Sequence, residues 1–566
     1  MNVLDYAWNT ATNIAQRDYD SLRLVLVDNA KFPSLGGDSA GFVLKLPPPK
    51  VVEDKFYAIH GLFLDQDPDG WNTVWRLFKA SLHHASLHAA YSDFKVYGAW
   101  ARNKDVEMAT FAVSFVEDLK LIAKAKAKWP GVLPDIAFAN YISALRTSDP
   151  EELDSPGVRF ATKLLMNYAG ILAQRGRNKE EDREVSATVT RAKSRIELLS
   201  KGPPGEGNQQ LLAAAQEVYD AVAGYGELTQ VPFLPYTESH GSCDIFEGKL
   251  LEGKINSVEA FHSAFSAFGM ADDPGPSDSV AQADSREILA GIETSAARRR
   301  KLAHAYEVWA APTRLTDIEF PPEDYGAYMR VKSSLAGPIK TVKDQLRLVR
   351  NVLDDVTGHE SGQQLDTQAA MQVMATQSHR SDVFEQLEVM HKEEAWAILI
   401  DASKSVKAIS HESRGIATCL AEVAKGIMGG QSSWGMYSFN NTFQIIKDFN
   451  EEYNMNCKAR IGGLAQRNTT LLPDALRVTY KALMTQGASV RILVVVSDGY
   501  PSGYNDIQKK LVETIKEVGK TGILLVGIGV DSGAIKEYFS TNCVLSSPYE
   551  MMKSFVKTYF EISYLF

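Results

Sequence analysis

Cysteine is scarce: four in 566 residues, Cys243, Cys419, Cys457 and Cys543. They are far apart and form no CxxC pair, which excludes a disulfide framework and a cysteine-based zinc site and points to a reducing compartment. Long apolar runs are absent too. The longest, 492–496 and 523–530, have strand length, short of the roughly 20 residues a membrane-crossing helix needs. The opening MNVLDYAWNT has no basic segment followed by an apolar one, so the reading is a cytoplasmic protein with no leader and no transmembrane segment. There is no excess of positive charge: 60 Lys+Arg stand against 70 Asp+Glu, a net charge of −10. That balance argues against nucleic acid or anionic lipid as a partner of the whole chain. Finally, no GxxxxGK[ST] is present, and KGPPGEGNQ at 201–209 lacks the Lys and the hydroxyl that would hold phosphate and Mg²⁺. ATPase chemistry is therefore expected only in a partner.

What is present is an ordinary globular composition, 45% hydrophobic and 23% charged, in a chain long enough for several domains. Up to about residue 390 apolar residues recur at helical spacing, as in Trp71, Trp75, Phe78, Leu82 and Ala85. A second helix is predicted over 105–128, stopped by Trp129-Pro130-Gly131, and a long one over 323–356, interruptible at Gly337-Pro338. Charged or Gly/Pro-rich breaks at 175–184, 201–207 and 272–279 mark linkers or surface loops. Near residue 394 the pattern changes to apolar strands (395–400, 434–439, 442–449, 491–497, 522–530) alternating with amphipathic helices (413–428, 472–486, 506–519 and from about 548). Such a pattern implies a mostly parallel sheet covered on both faces. The expected architecture is thus a helical N-terminal domain (1–200), a helical middle region with linkers (201–390) and a doubly wound α/β domain (391–566).

The strongest chemical signal lies in that last domain. Asp401, Ser403 and Ser405 alternate along a strand-to-helix loop, Asp498 follows the fourth predicted strand, and Thr469-Thr470 opens a helix between them. Ligands of open α/β sheets bind at the carboxyl ends of the strands. An oxygen-only set with few carboxylates suits Mg²⁺, with Mn²⁺ or Ca²⁺ as alternatives. The same residue types also cap helices.

These residues resemble the metal-ion-dependent adhesion site of the von Willebrand factor A domain. The family's T-x-x-x-x-A-L spacing selects Thr470 through Ala475-Leu476, so the resemblance implies a site of Asp401, Ser403, Ser405, Thr470 and Asp498. It also implies that the bound ion keeps one position open for a partner's carboxylate, and that the fold is Rossmann-like. A broader resemblance rests on SLHHASLHAAYSDF (81–94), FAVSFVEDLKLIAKAKAKWPG (111–131), Tyr306-Glu307-Val308-Trp309 and 362–366. Together these are similar to the nitric oxide reductase activation (NorD) group, which includes the Rubisco-activating CbbO proteins and, more distantly, the CobT subunit of cobalt chelatase. That resemblance implies a non-enzymatic adaptor, working with a MoxR-type AAA+ ATPase on a metalloenzyme client. A chelatase subunit is the alternative it leaves open.

Other features admit competing readings. His84 and His88 sit one helical turn apart with Glu117 in the next helix, the ligand pattern of a zinc site. Position 85 is Ala where HExxH has its general base, so a zinc hydrolase is disfavoured even if metal binds. Histidines hydrogen-bonded to Glu117 or Asp118 in a helical core are the alternative. Asp65-Gln66-Asp67-Pro68-Asp69-Gly70 begins like an EF-hand loop but has Arg76 at the twelfth position, so a helix N-cap is expected. Gly37-Asp38-Ser39-Ala40-Gly41 matches GxSxG, yet a nucleophile elbow needs a following helix, which 47–49, all proline, forbids. The glycines Gly527, Gly529 and Gly533 miss the dinucleotide-binding spacing. Lys120, Lys124, Lys126 and Lys128, and the run 298–301, read as solvated helix faces.

Overall fold

The computed structural model describes residues 2–563 apart from 29, 31, 39–40, 53–54, 171–178, 200–206, 235, 238–278, 351, 362–363, 377–379, 391–392 and 429–432. The predicted breaks at 201–207 and 272–279 lie almost wholly outside the described residues, that at 175–184 lies partly outside, and Cys243 is also outside. The chain divides into two compact units, Met1–Arg300 with Pro322–Gly326, and Lys301–Pro321 with Ala327–Phe566.

The first unit is organised on the Pro68–Tyr91 helix. Asp67 caps it by accepting from the Gly70 N–H at 2.7 Å, and Pro68 occupies its first turn, where the missing N–H costs nothing. Asp67 therefore serves as a cap, as the truncated EF-hand pattern led us to expect. The helix packs against Val3–Ala15, Leu133–Arg146 and Val106–Lys128. Sixteen of its residues are buried, including Ser81, His83, His84, Ser86 and His88, so its burial extends well beyond the apolar stripe seen in the sequence. The N-terminal region is not purely helical, however. Between Leu22 and Asp65 six short strands form two small sheets, one completed by Glu323–Asp324. They are three to six residues long, too short to display the alternation by which a strand is recognised. Gly37 and Asp38 end one strand and Gly41 begins its antiparallel neighbour. Ser39 and Ala40 lie outside the described residues, and no helix follows the GxSxG stretch.

In the second unit the predicted long helix is two, Tyr325–Ser334 and Ala336–Arg350. Gly337 and Pro338 fall in the first turn of the latter, where proline is tolerated. Strands Val352–His359, Gln364–Leu365 and Phe384–Met390 make a separate antiparallel sheet. The main sheet has seven strands in the order Asn542–Leu545, Leu524–Val530, Val490–Ser497, Glu394–Asp401, Trp434–Phe439, Phe443–Lys447, Ile318–Glu319. Every pairing is parallel except that between Trp434–Phe439 and Phe443–Lys447. The central strand Glu394–Asp401 is buried throughout. That is the signature of a sheet covered on both faces, and it explains the unbroken apolar run. Its first residue, Glu394, is also buried but satisfied: the Trp396 indole and the Tyr559 hydroxyl both donate to its carboxylate, at 2.9–3.0 Å.

Chain order sets the site. From Glu394–Asp401 the chain crosses to Trp434–Phe439 on one side and later returns to Val490–Ser497 on the other, so the order reverses at this strand. Loops leaving adjacent strands in opposite directions open a crevice at their carboxyl ends. Among the described residues no helix is long and apolar enough to cross a membrane, and Cys419, Cys457 and Cys543 are free and buried.

Candidate functional site

Asp401 is the last residue of the central strand, and its side chain is almost fully buried. Ile400 pairs with Val496, so Ser497 lies one step beyond at the same level. The Ser497 hydroxyl donates to Asp401 Oδ2 at 2.6 Å, and the Ser403 N–H donates to Oδ1 at 2.9 Å. The Gly499 N–H in turn donates to Ser497 Oγ at 3.1 Å. Burial pushes the Asp401 carboxyl up to about 6; the bonds from Ser403 and Ser497 oppose the shift, and the negative charge of Asp498 adds to it. The charge of Asp498 thus reaches Asp401 at the rim of the sheet.

Ser403 and Ser405 lie on one side of the turn that follows, their hydroxyl oxygens 2.9 Å apart. Ser403 is buried and Ser405 exposed. The third loop is tied down by its backbone. The Arg467 N–H donates to Ala402 O at 2.9 Å, the Lys404 N–H to Asn468 O at 3.0 Å, and the Leu471 N–H to Asn440 O at 3.3 Å. Asn468 adopts a positive φ of 59°, a conformation that asparagine tolerates better than most residues. Beyond it Thr470 is buried and Thr469 exposed. A fourth segment joins them: the Thr470 N–H donates to Ser502 Oγ at 3.2 Å and the Ser502 N–H to Thr470 O at 3.1 Å. Asp498 accepts from the Tyr500 N–H at 3.0 Å. Gly499 holds φ +82°, and a Cβ there would come within 2.5 Å of Ile535 N, so only glycine fits this turn.

The structure thus carries Asp401, Ser403, Ser405, Thr470 and Asp498 on three loops that meet at the carboxyl edge of the sheet. Ser497 and Ser502, which sequence reasoning did not assign a role, orient them. Ser497 is visible in hindsight as the polar end of an apolar strand; Ser502 carries no such signal. The donors are carboxylates and hydroxyls only, a chemistry that matches a hard divalent cation and no soft one. A cation also answers the cost of holding Asp401 ionised beside Asp498.

The histidines form a second cluster in the first unit. His84 Nε2 and His88 Nε2 face each other at 3.0 Å, and Asp118 Oδ1 lies 3.3 Å from the former and 3.6 Å from the latter. Glu117 is elsewhere: its Oε2 is 3.5 Å from the other nitrogen of His88, Nδ1, and its Oε1 accepts from the Tyr97 hydroxyl at 2.6 Å. Burial alone would raise its pKa, but the bonds and charges of His88, Tyr97 and Lys120 hold it below the usual carboxylate value. The carboxylate grouped with the two Nε2 atoms is therefore that of Asp118, where the spacing had pointed to Glu117. His60 belongs to a different network, 3.1 Å from Ser81 Oγ, with the Arg146 guanidinium donating to its carbonyl. His83 is buried beside Lys79 and Asp135, and burial brings its pKa down to about 4. Lys120, read from the sequence as solvated, is half-buried, its ammonium donating to Tyr91 O at 2.7 Å and Tyr97 Oη at 3.2 Å.

No protein-family model matches the chain, and no curated protein matches it. Solved structures similar to part of it include the manganese-loaded TRAP protein of Plasmodium vivax, at 13% identity over 30% of this chain and 73% of that one, TM-score 0.24. A von Willebrand factor type A protein from Catenulispora acidiphila matches at 12% identity over 31% and 43%, TM-score 0.25. The PilB minor pilin from Streptococcus sanguinis matches at 16% identity over 32% and 63%, TM-score 0.23. The chain thus covers less than half of the Catenulispora protein.

Proposed function

We propose that this chain is a non-enzymatic adaptor whose second unit contains, over 391–566, a von Willebrand factor A-type domain. Asp401, Ser403, Ser405, Thr470 and Asp498 would hold Mg²⁺. Bound there, the ion supplies an electrophile with a position for an aspartate or glutamate of another protein. The observation that carries the reading is the meeting of three oxygen-bearing loops at the reversal point of a mostly parallel sheet, tied together by the Ser497–Asp401, Lys404–Asn468 and Thr470–Ser502 hydrogen bonds. A site poor in anionic ligands leaves its cation underneutralised, and an added carboxylate from a partner is the natural complement.

The client is proposed to be a metalloenzyme and the source of ATP-driven remodelling a MoxR-type AAA+ ATPase, in the cytoplasm; both rest on the resemblance of 81–94, 111–131 and 306–309 to the NorD group. The test is affinity capture on the full chain from native extract, with Mg²⁺ and with EDTA, beside Asp401→Ala. Mass spectrometry should find a MoxR-type ATPase, and a metalloenzyme retained only by the intact protein with Mg²⁺. Capture that is unchanged in Asp401→Ala removes the metal bridge, and absence of the ATPase removes the adaptor reading.

A further inference from the structure

We infer that His84, His88 and Asp118 form a second, buried divalent metal site, suited to Zn²⁺, with Glu117 as the positioning residue of His88. The first argument is the shape of the donor triangle. Its edges are 3.0, 3.3 and 3.6 Å. Ligands at about 2.0–2.1 Å from a tetrahedral zinc stand about 3.3 Å apart, whereas an octahedral arrangement would bring neighbours to about 3.0 Å. The observed edges centre on the tetrahedral value, and all three groups are buried.

The second argument is how the rings are held. His88 Nδ1 faces a hydroxyl and a carboxylate, Ser92 Oγ at 2.9 Å and Glu117 Oε2 at 3.5 Å. The proton therefore belongs on Nδ1, leaving the Nε2 lone pair aimed at His84 Nε2 and Asp118. An imidazole whose far nitrogen donates to a carboxylate is the usual outer arrangement of a metal-bound histidine. Glu117 is itself anchored by the Tyr97 hydroxyl, so the orientation is built into the helix pair and not left to one contact.

The third argument is charge and space. Asp118 and Glu117 carry two negative charges against the single positive charge of the Lys120 ammonium, so the buried group is net negative until a cation enters. Lys120 stands 3.9 Å from Glu117 Oε1, on the Glu117 side. Asp118 also lines a small cavity walled by Phe111, Phe115, Leu165 and Phe233, with room of about 10 Å³, roughly one water. Of the three donors Asp118 is the one that borders this space, so a water there would approach the ion from the Asp118 side. With Ala85 where a metallopeptidase carries its general base, the site is not built for hydrolysis of that type.

The test uses the full chain, purified without chelator or metal-affinity resin and analysed by inductively coupled plasma mass spectrometry. One zinc per chain is expected, falling at least tenfold in His84→Ala and Asp118→Ala. In Glu117→Gln zinc should be retained but bound 10- to 100-fold more weakly. Because the alanine variants remove buried groups, the wild-type protein carries a separate readout: Co²⁺ substitution should give the intense visible bands of a four-coordinate site. Loss of zinc in Glu117→Ala with retention in Asp118→Ala would overturn the assignment of Asp118. Wild-type chain that binds neither ion would overturn the site altogether and leave a hydrogen-bonded histidine pair.

Discussion

Replacing Asp401 with asparagine should make the second unit more stable in the absence of divalent ions, although it removes a residue central to the proposed site. In the unfolded chain this carboxyl titrates near 3.8, and in the folded chain at about 6. A carboxyl raised by folding contributes stability that is fully present below the unfolded value and lost as pH rises through the folded one. The two-unit gap corresponds to about 3 kcal/mol, given up between about pH 4 and 6. Asparagine never ionises and avoids that loss. Against this, the Ser497 hydroxyl, which donates to Asp401 Oδ2, must turn to accept from an amide, a mismatch of about 1 kcal/mol. The net gain at pH 7.5 is then about 1–2 kcal/mol, or a 5- to 30-fold drop in the population of the opened state. Hydrogen exchange of the full chain in EDTA, followed in peptides spanning 394–401 and 490–497, reads this directly. Exchange in Asp401→Asn that is as fast as wild type or faster would refute the buried-charge argument. Addition of Mg²⁺ should slow exchange in wild type, by about 2.7 kcal/mol at a hundred times Kd, and leave the variant unchanged.

Two other perturbations test how the site and its sheet are supported. Gly499→Ala forces a side chain into φ +82° against Ile535 N and Ala534. It should cost about 1–3 kcal/mol from backbone strain alone and displace Asp498, so the Mg²⁺-dependent protection should weaken as well; an unchanged Mg²⁺ response would separate Asp498 from the site. Arg460 is buried and donates at 3.0 Å to Ile446 O and to both oxygens of Glu451. Arg460→Met should therefore lower stability by about 3–5 kcal/mol, most of it recovered in Arg460→Met/Glu451→Leu. Thermal melts in which the single variant matches wild type would deny the pair this role.

The second unit was largely legible because its grammar is physical. Strands such as 394–401 and 490–497 are covered on both faces, so their interiors, 395–400 and 492–496, are apolar without a break, and Asp401 and Ser497 mark where each leaves the core. What escaped was short. The Met455–Gly462 helix has eight residues, with an Asn454 cap accepting from the Cys457 N–H at 3.2 Å, and too few turns to show a period. Strands Ile318–Glu319 and Asn542–Leu545 are shorter than the alternation needed to recognise them. Ile318–Glu319 joins the sheet from more than 120 residues away in the chain, a pairing that no local signal encodes.

The choice between Glu117 and Asp118 shows where local patterning ends. On a helix, consecutive residues point about 100° apart, so only one of the two can face the histidines' Nε2 atoms. The neighbours that would settle the phase do not: Phe111, Ala112, Phe115, Val116, Leu119 and Ile122 are all buried, because the Val106–Lys128 helix meets partners on several sides. When a helix has no solvated face, its hydrophobic pattern no longer assigns directions. Those directions come instead from the partner helices, here from Tyr97 drawing Glu117 to one side of His88 and leaving Asp118 to the other. A polar pair inside such a helix can therefore be recognised from sequence as functional while the roles within the pair are interchanged. The metal analysis of Glu117→Gln against Asp118→Ala separates those two roles.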